Sequence, residues 1–245
     1  MTAPFPTRKQ EDWRYADLDA LKPVWADFAD PVTLTVAPGE SLEEMWLPAT
    51  GDVQLRRVQL SLGEGATARI FALNAAQHYG RVELDVSLAD GAEFSLFGAN
   101  IGSGVSTNEF VTIVRHNGVG SRSRQVIRSV LGGKATGSYL GKVAVARGAQ
   151  QSDSEQSIKA MLLDRGATAN AKPELEIYAD DVKCAHGATV GELDPMQLFY
   201  ATSRGIDPAS ARRLLLEGFV MGLWDSACEG AEIARASGDA LRSVA

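Results

Sequence analysis

The residues best suited to chemistry in this chain are a cysteine and a histidine two positions apart, Cys184 and His186. The chain has two cysteines and three histidines, so this pair concentrates its soft-ligand chemistry in one place. The segment is strand-like, and residues i and i+2 of a strand point to the same face. A thiol and an imidazole about 6–7 Å apart at Cα would be neighbouring ligands for a soft metal or a cluster.

Such a pair is half of a metal site, because zinc and iron–sulfur centres usually have four protein ligands. The remaining ligands would come from a partner chain. A buried structural cysteine beside a hydrogen-bonded histidine is the simpler interpretation. A Cys–His nucleophile would need a lowered thiol pKa and an oxyanion pocket. Cys184 precedes the predicted helix start by about ten residues, and no glycine-rich oxyanion loop is evident, which argues against a nucleophile.

The other candidate residues have simpler expected roles. His78 and His116 are isolated in the sequence and are expected to be surface or core histidines. Cys228 lies in a stretch predicted to be helical and is expected to be structural. A small basic stripe, Arg122, Arg124 and Arg128, is expected to be a solvated strand face, with contact to an acidic partner as the alternative.

The chain lacks the signatures of several enzyme classes. It has no phosphate-binding P-loop, no dinucleotide glycine fingerprint, no His-Glu-x-x-His and no Gly-x-Ser-x-Gly. Asp180 and Asp181 are adjacent and would point to opposite faces of a strand, which is a poor arrangement for acid–base catalysis. We therefore expect that the protein is not an enzyme and does not itself hydrolyse ATP.

Composition limits the partners and the compartment. The 245 residues are 45% hydrophobic and 22% charged, which is ordinary for a globular protein with a sizeable core. A formal net charge of −7 argues against a general nucleic-acid or anionic-membrane binder, which needs a basic face. No apolar run approaches the ~20 residues that span a bilayer, and the N-terminus has no apolar signal core. We expect a cytoplasmic protein with free thiols.

Hydrophobic patterning divides the chain into three parts. Residues 1–30 are expected to form a short helical segment, with Trp13 and Trp25 in its apolar stripe. Residues 31–193 alternate apolar and polar residues in short runs, which predict strands without a convincing helix. Gly-Ala pairs such as Gly65–Ala66 follow strands at loose intervals. This rung-like period is typical of a parallel β-helix, but a sandwich or jelly roll fits the periodicity equally well.

Residues 194–245 predict helices. Asp194-Pro195 and Asp207-Pro208 each combine an N-cap with proline at the first helical position. A third, weaker helix is expected at about residues 226–236. The first two helices resemble a helix-turn-helix, but Arg212 and Arg213 are the only basic residues of the second, so protein docking is favoured over DNA recognition.

Several motifs together resemble one known family. The stretch Ala179–Ile206 closely resembles the C-terminal signature of SufD-type members of the SufB/SufD family of iron–sulfur cluster assembly scaffold proteins. Residues Pro6–Tyr15 resemble the N-terminal motif of that family. Residues Gly141–Val145 and Ala149–Gln156 resemble its core motif. Family members are usually longer, with a larger N-terminal helical region and more β-helix rungs.

This resemblance implies a mainly β fold, a right-handed parallel β-helix with a C-terminal helical domain. It implies pairing with SufB through the β-helix, a possible homodimer of the isolated chain, and docking of the SufC ATPase on the C-terminal helices. No permanent cofactor is implied, only a transient iron–sulfur cluster at the SufB interface, with His186 and then Cys184 as candidate ligands. The candidate SufC-docking residues are Leu198, Tyr200, Arg204, Arg212, Leu215 and Phe219.

Two other functions remain open from the residues. The first is a stand-alone metal-binding or redox protein, which would hold metal without partners. The second is a β-helix enzyme acting on polysaccharide, a class that usually carries a secretory signal and acid clusters on an exposed strand face. The scattered acids of this chain argue against the β-helix enzyme, and retention of metal by the isolated chain would distinguish the metal-binding protein. The leading hypothesis is a non-catalytic scaffold subunit.

Overall fold

The structure is a computed structural model that describes residues 4–48 and 51–244. Twelve parallel strands form the body of the described chain. Their bounds are β1 Val32–Val36, β2 Ser41–Trp46, β3 Val53–Leu62, β4 Thr67–Asn74, β5 Tyr79–Leu88, β6 Glu93–Gly102, β7 Thr107–His116, β8 Arg122–Leu131, β9 Thr136–Val145, β10 Asp153–Leu162, β11 Thr168–Ile177 and β12 Lys183–Glu192. The strand region therefore lies where the alternating pattern predicts it.

The chain coils so that successive strands alternate between two sheets. The odd-numbered strands form one six-stranded sheet and the even-numbered strands form the other. Each strand pairs in parallel with the strand two positions along the chain. This pairing is that of a parallel β-helix of about five turns, and it confirms the β-helix over the sandwich or jelly roll.

Equivalent residues of successive turns stack in columns inside the coil. One column of the odd-numbered sheet is entirely apolar and consists of Leu34, Leu60, Val86, Val114, Val143 and Leu175. Burial of such columns between the two sheets supplies the hydrophobic stabilisation of the coil, at roughly 25 cal/mol per Å² of apolar surface. Every second residue of a strand belongs to a column, which explains the period-two pattern.

One corner of the coil requires a left-handed backbone conformation. Gly39, Gly65, Gly91 and Gly120 occupy equivalent positions before β2, β4, β6 and β8, with φ between 61° and 74°. Gln151 occupies the same position before β10 with φ 61°. Glycine adopts this region without a Cβ clash, so the recurring glycine marks the corner.

The N-terminal segment consists of short helical turns rather than one helix. A 3₁₀ turn at Glu11–Trp13 is followed by α1 Leu18–Leu21, a 3₁₀ turn at Lys22–Val24 and α2 Trp25–Phe28. The Asp17 side chain caps α1 by accepting a hydrogen bond from the backbone N–H of Ala20 at 3.0 Å. Residues 1–3, which also belong to the segment predicted as helical, lie outside the described residues.

Three longer helices follow β12. They are α3 Pro195–Ser203, α4 Pro208–Val220, which continues into a 3₁₀ turn at Met221–Leu223, and α5 Gly230–Arg242. The Asp194 and Asp207 side chains accept hydrogen bonds from the first turns of α3 and α4, as the Asp-Pro pairs predict. No helix in residues 4–48 or 51–244 has both the length and the apolar character to span a membrane.

The third helix begins later than the sequence predicts. The prediction of about residues 226–236 is wrong at both ends, because α5 covers Gly230–Arg242. The carboxylate of Glu43 accepts a hydrogen bond from the backbone N–H of Cys228 at 2.6 Å, which holds the residues before α5 in a turn. Apolar side chains of α4 and α5, including Leu216, Val220 and Ile233, pack against the outer face of the even-numbered sheet.

Candidate functional site

The last turn of the β-helix leaves two strands without a second neighbour in the described chain. Strand β11 pairs with β9 alone, and β12 pairs with β10 alone. The inner face of this turn is covered by no further turn within residues 4–48 and 51–244. We call this uncovered inner face the open end; it consists of the inward-facing residues of β11 and β12. Unpaired strand edges of this length are templates for pairing with another chain.

Cys184 and His186 both lie at the open end. In the register of β10 and β12, Cys184 is beside Ser154 and His186 is beside Gln156. Ser154 and Gln156 are 2% and 1% exposed, so they face the interior of the coil. Cys184 and His186 continue the same two columns and therefore face inward, where no further turn covers them. The strand thus puts thiol and imidazole on one face.

The two side chains have different environments. Cys184 is half-buried and packs against the interior apolar cluster, whereas His186 is exposed. Burial raises the pKa of the Cys184 thiol, and the nearby Asp153 carboxylate adds to the shift. The thiol is therefore protonated at neutral pH, and a metal ion binding there must displace a proton.

Opposite these residues the open end is apolar. Ala171 and Leu175 of β11 are partly buried against the same interior cluster as Cys184. On β12, Val190 faces inward, as Cys184 and His186 do, and is 48% exposed. A second chain covering this surface would remove both the apolar residues and the Cys184–His186 pair from water.

The pair remains an incomplete metal site within the described residues. No cluster of three or more His, Cys, Asp or Glu side chains is arranged to hold a metal ion in residues 4–48 and 51–244. A thiol and an imidazole suit iron in an iron–sulfur cluster, but they supply two ligands of four. The donor set therefore fits a cluster only if further ligands come from another chain.

The six candidate docking residues differ in exposure, and none of them is fully buried. Tyr200 and Arg204 are exposed, and the guanidinium carbon of Arg204 is 5.2 Å from the Tyr200 ring centroid. The other four, Leu198, Arg212, Leu215 and Phe219, are half-buried. Phe219 packs against the apolar cluster between helices and sheet, beneath the guanidinium of Arg128.

The sequence interpretation missed two exposed apolar residues on α3. Met196 and Phe199 are 69% and 66% exposed, and Tyr200 beside them is 61% exposed. Large apolar side chains grouped on one helix in water indicate a contact surface. Their position in the first turns of a helix with a weak apolar stripe was visible in the sequence, but their exposure depends on how α3 packs.

The remaining histidines have structural environments. His116 is fully buried, and its two ring nitrogens are each 2.8 Å from a serine hydroxyl, of Ser121 and Ser123. Burial lowers the pKa of His116 to about 4. His78 is exposed, and its Nε2 is 3.3 Å from a carboxylate oxygen of Asp17. The surface and core roles expected for isolated histidines are thus both present.

The placement of Cys228 in a helix is wrong. Cys228 precedes α5 in an exposed turn, and its thiol is 3.5 Å from a carboxylate oxygen of Glu43. In the basic stripe, Arg122 pairs with Glu93 at 2.7 Å and Arg124 pairs with Glu155 at 3.4 Å. These two arginines lie on the solvated outer face of β8, as expected.

Sequence patterns also do not identify the buried polar residues beneath the open end. Gln156 and Ser154 are inward-facing, fully buried and adjacent to His186 and Cys184 in the register. Ser154 and Gln156 are two positions apart, as residues on one strand face are, but polar residues at this spacing normally indicate an exposed face. Their burial beside the two candidate ligands can be recognised only from the register of β10 and β12.

Comparison with known proteins supports one family. A family model described as "SUF system FeS cluster assembly, SufBD core domain" matches residues 44–219, which is most of the chain. SufD of Escherichia coli (strain K12) is 37% identical over 115 residues, 47% of this chain and 27% of that protein. SufD of Bacillus subtilis (strain 168) is 35% identical over 120 residues, 49% of this chain and 28% of that protein.

A third relative matches more of the chain. The SufBD family protein ML0594 of Mycobacterium leprae (strain TN) is 28% identical over 203 residues, which are 78% of this chain and 52% of the relative. The chain thus spans between 27% and 52% of the length of these three curated relatives. Since the family model matches well over half of its residues, the chain belongs to the SufB/SufD family of iron–sulfur cluster assembly proteins and is SufD-like.

Proposed function

We propose that this chain is a non-catalytic scaffold subunit on which an iron–sulfur cluster is assembled at the contact with a second β-helix chain. The observation that carries the proposal is the position of Cys184 and His186 at the open end of the β-helix. A partner that pairs there completes the ligand set and excludes water from it. The cluster is cargo in this scheme and is passed on rather than retained.

SufB is the partner that family membership favours for the open end. Strands β11 and β12 offer ten residues each for edge pairing, and the inner face offers apolar surface around the two donors. His186 is the favoured cluster ligand, because it is exposed and its ring nitrogens are accessible. Cys184 has a raised pKa and partial burial, which favour packing over ligation unless a metal displaces its proton.

SufC is the partner that we assign to the C-terminal helices. The exposed side of α3, with Phe199, Tyr200 and the neighbouring Arg204, offers aromatic anchors and a cation. Aromatic and arginine side chains are enriched among residues that dominate binding energy at protein interfaces. ATP hydrolysis belongs to SufC in this proposal, and the present chain transmits the resulting movement to the open end through the shared apolar packing of α4 and the even-numbered sheet.

A stand-alone metalloprotein is the competing function. Residues 4–48 and 51–244 offer no third ligand near Cys184 and His186. Retention of iron or zinc by the purified chain alone, after dialysis against a mild chelator, would favour that alternative over the scaffold.

Co-purification tests the scaffold proposal. The tagged chain is co-expressed with SufB and SufC of its own organism, and subunit masses are measured by size-exclusion chromatography with light scattering. A complex of all three chains supports the proposal. A chain that elutes without either partner overturns it.

The role of His186 is tested in the same complex. His186→Ala is expected to lower cluster formation, measured by absorbance after anaerobic reconstitution, while all three subunits still co-elute. His78→Ala is the matched control, since His78 is also exposed but lies between β4 and β5, away from the open end. Loss of assembly in the His186 variant alone would assign this residue a structural role instead.

A further inference from the structure

We propose that Gln156 positions His186. In the proposed arrangement the His186 ring turns toward Gln156, and the side-chain oxygen of Gln156 accepts a hydrogen bond from one imidazole nitrogen, which fixes the tautomer and the orientation of the ring and leaves the other nitrogen free for iron. The role toward iron rests on the proposed function, whereas the hydrogen bond belongs to the chain itself. It can therefore be tested without partners or metal.

The orientation of the Gln156 amide is determined by its surroundings. Its Nε2 donates to the carbonyl oxygen of Gly141 at 3.1 Å and to the hydroxyl of Tyr139 at 2.8 Å. A carbonyl oxygen only accepts hydrogen bonds, so the nitrogen must lie on that side of the amide. The Oε1 atom of Gln156 consequently points away from Gly141 and Tyr139.

A buried network holds the Gln156 side chain in place. The Tyr139 hydroxyl donates to Oε1 of Gln125 at 3.1 Å, and the Thr112 hydroxyl donates to the same oxygen at 2.6 Å. Burial raises the pKa of Tyr139 to about 12, so this hydroxyl keeps its proton at neutral pH. Gln156 is therefore the outermost member of a fixed chain of donors that extends into the coil.

The Oε1 atom of Gln156 has no hydrogen-bond partner in the described part of the chain, although the residue is 1% exposed. An unsatisfied buried acceptor costs about 1–3 kcal/mol, so a partner at this position is strongly favoured. In the register, Gln125 is the neighbour on one side and His186 is the neighbour on the other. Gln125 forms no bond to this oxygen, and its own Nε2 is also unsatisfied.

His186 is the neighbour that can move to this oxygen. It lies on the same face as Gln156, about 5 Å away along the hydrogen-bonding direction of the sheet, and it is exposed at the open end. An imidazole N–H is a donor that rotation about the side-chain bonds can direct toward Gln156. A histidine that donates one ring nitrogen to a second residue presents the other as a metal ligand in a defined orientation.

The neighbouring column repeats this relationship. Ser154 is 2% exposed, its hydroxyl has no hydrogen-bond partner within the described residues, and it lies beside Cys184 in the register. Each of the two candidate ligands is thus adjacent to one buried polar side chain with unused hydrogen-bonding capacity.

The test is the tautomer of His186 in the full chain without iron or partners. Long-range ¹H–¹⁵N NMR of histidine-labelled protein reports which ring nitrogen carries the proton, and His186→Ala assigns the signal. We expect a single dominant tautomer in the wild type and its loss in Gln156→Leu, with the nitrogen shifts moving to the mixture of a free imidazole. Ser154→Ala, at the buried polar residue beside Cys184 in the neighbouring column, is the matched control and should leave the His186 signal unchanged.

Three results would overturn the inference: a mixed tautomer in the wild type, no change in Gln156→Leu, or an equal change in Ser154→Ala. If Gln156→Leu does not fold by circular dichroism, Gln156→Met preserves the unbranched shape and is measured instead. These outcomes are independent of co-purification with SufB and SufC. A Gln156-dependent tautomer in a chain that binds neither partner would keep this inference and reject the proposed function.

Discussion

The guanidinium of Arg81 on β5 lies beneath the indole of Trp13, with its central carbon 3.7 Å from the ring centroid. The Arg81 side chain is fully buried and pairs with the equally buried Glu109, at 3.3 Å between Nη1 and Oε2. Trp13 is 7% exposed and packs with Tyr79, whose hydroxyl donates to the same Glu109 oxygen. The N-terminal segment therefore covers a buried ion pair on the outer face of the odd-numbered sheet.

Trp13→Ala is expected to destabilise the protein by about 3 kcal/mol or more, because it removes a buried aromatic side chain and admits water to the pair. Trp13→Phe keeps an aromatic face over the guanidinium and should cost about 1 kcal/mol. Urea unfolding followed by far-UV circular dichroism measures both values. Equal stabilities of the alanine variant and the wild type would show that the N-terminal segment does not protect the pair.

The corner before β10 offers a stabilising substitution. Gln151 has φ 61° at a position where Gly39, Gly65, Gly91 and Gly120 precede the earlier even-numbered strands. Gln151→Gly is expected to raise the free energy of unfolding by roughly 0.5–1 kcal/mol, since a left-handed conformation strains a residue with Cβ by more than glycine loses in entropy.

The reverse substitution is the matched control for that corner. Gly120→Ala should lower the free energy of unfolding by about 1 kcal/mol, although its Cβ would meet no atom within 4 Å. If Gly120→Ala lowers the free energy of unfolding but Gln151→Gly does not raise it, the Gln151 side chain makes compensating interactions in the folded state.

His116 makes the stability of the coil sensitive to acid. Its pKa is lowered to about 4 from an ordinary 6.5 by burial, so the folded chain holds a neutral ring where the unfolded chain takes up a proton. Stability is therefore lost as pH falls from about 6.5 and levels off below about 4, by up to about 3 kcal/mol in total.

A variant without the buried ring isolates this contribution. His116→Gln should lose part of the decline in unfolding free energy between pH 6.5 and 4, measured by urea unfolding at each pH. His78→Gln, at an exposed histidine, should keep the wild-type decline. An unchanged pH profile of His116→Gln would place the acid sensitivity in the carboxylates instead.

The two thiols should differ in reactivity. Cys184 is half-buried with a raised pKa, whereas Cys228 is exposed. Because the thiolate is the nucleophile, iodoacetamide at neutral pH should alkylate Cys228 several-fold faster than Cys184. Mass spectrometry of the Cys184→Ser and Cys228→Ser single-cysteine variants measures each rate. Faster alkylation of Cys184 would contradict its packing against the interior cluster.

Covering the open end should slow Cys184 further. In the proposed complex with SufB, the rate at Cys184 is expected to fall while the rate at Cys228 stays the same. An unchanged Cys184 rate in a verified complex would show that the partner pairs at a different surface.

The sequence determines the strands better than it determines how they associate. Alternation along each run depends on one residue and its near neighbours, so the strands of the coil are predictable locally. Pairing joins residues such as Val86 and Val114 on successive turns, and that register has no local signal. The sandwich and the β-helix were therefore indistinguishable until the family resemblance favoured one of them.

The Gly-Ala pairs show how a partly wrong signal led to the correct fold. Gly65 and Gly91 hold the left-handed corner, but Gly187 lies inside β12, and Gly120 at an equivalent corner is followed by serine. What these corners share is the left-handed backbone conformation, not the Gly-Ala dipeptide. Gln151 adopts this conformation without glycine, which no pattern of glycines can reveal.

The candidate site residues also differ in how far the sequence alone identifies them. Cys184 and His186 were identifiable because their residue types are rare in this chain and their spacing fits one strand face. Gln156 is a common residue type whose role depends on its burial and on its neighbour across the sheet. Likewise, the exposure of Phe199 follows from the packing of α3, which the sequence of one helix does not specify.

The exposed aromatic surface of α3, which we propose as the SufC-docking surface, gives the last prediction. Phe199→Asp with Tyr200→Asp is expected to weaken binding of SufC of the same organism by about tenfold or more, because two exposed aromatic anchors are replaced by charges. Isothermal titration of the purified chain with SufC measures the affinity.

Val105→Asp, at an apolar residue that is 73% exposed in the turn after β6, is the matched control and should bind normally. Leu215 and Phe219 are poorer test positions, since both are half-buried and Phe219 packs in the cluster that joins the helices to the sheet. Wild-type affinity in a folded Phe199/Tyr200 double variant would reject α3 as the docking surface and direct attention to α4.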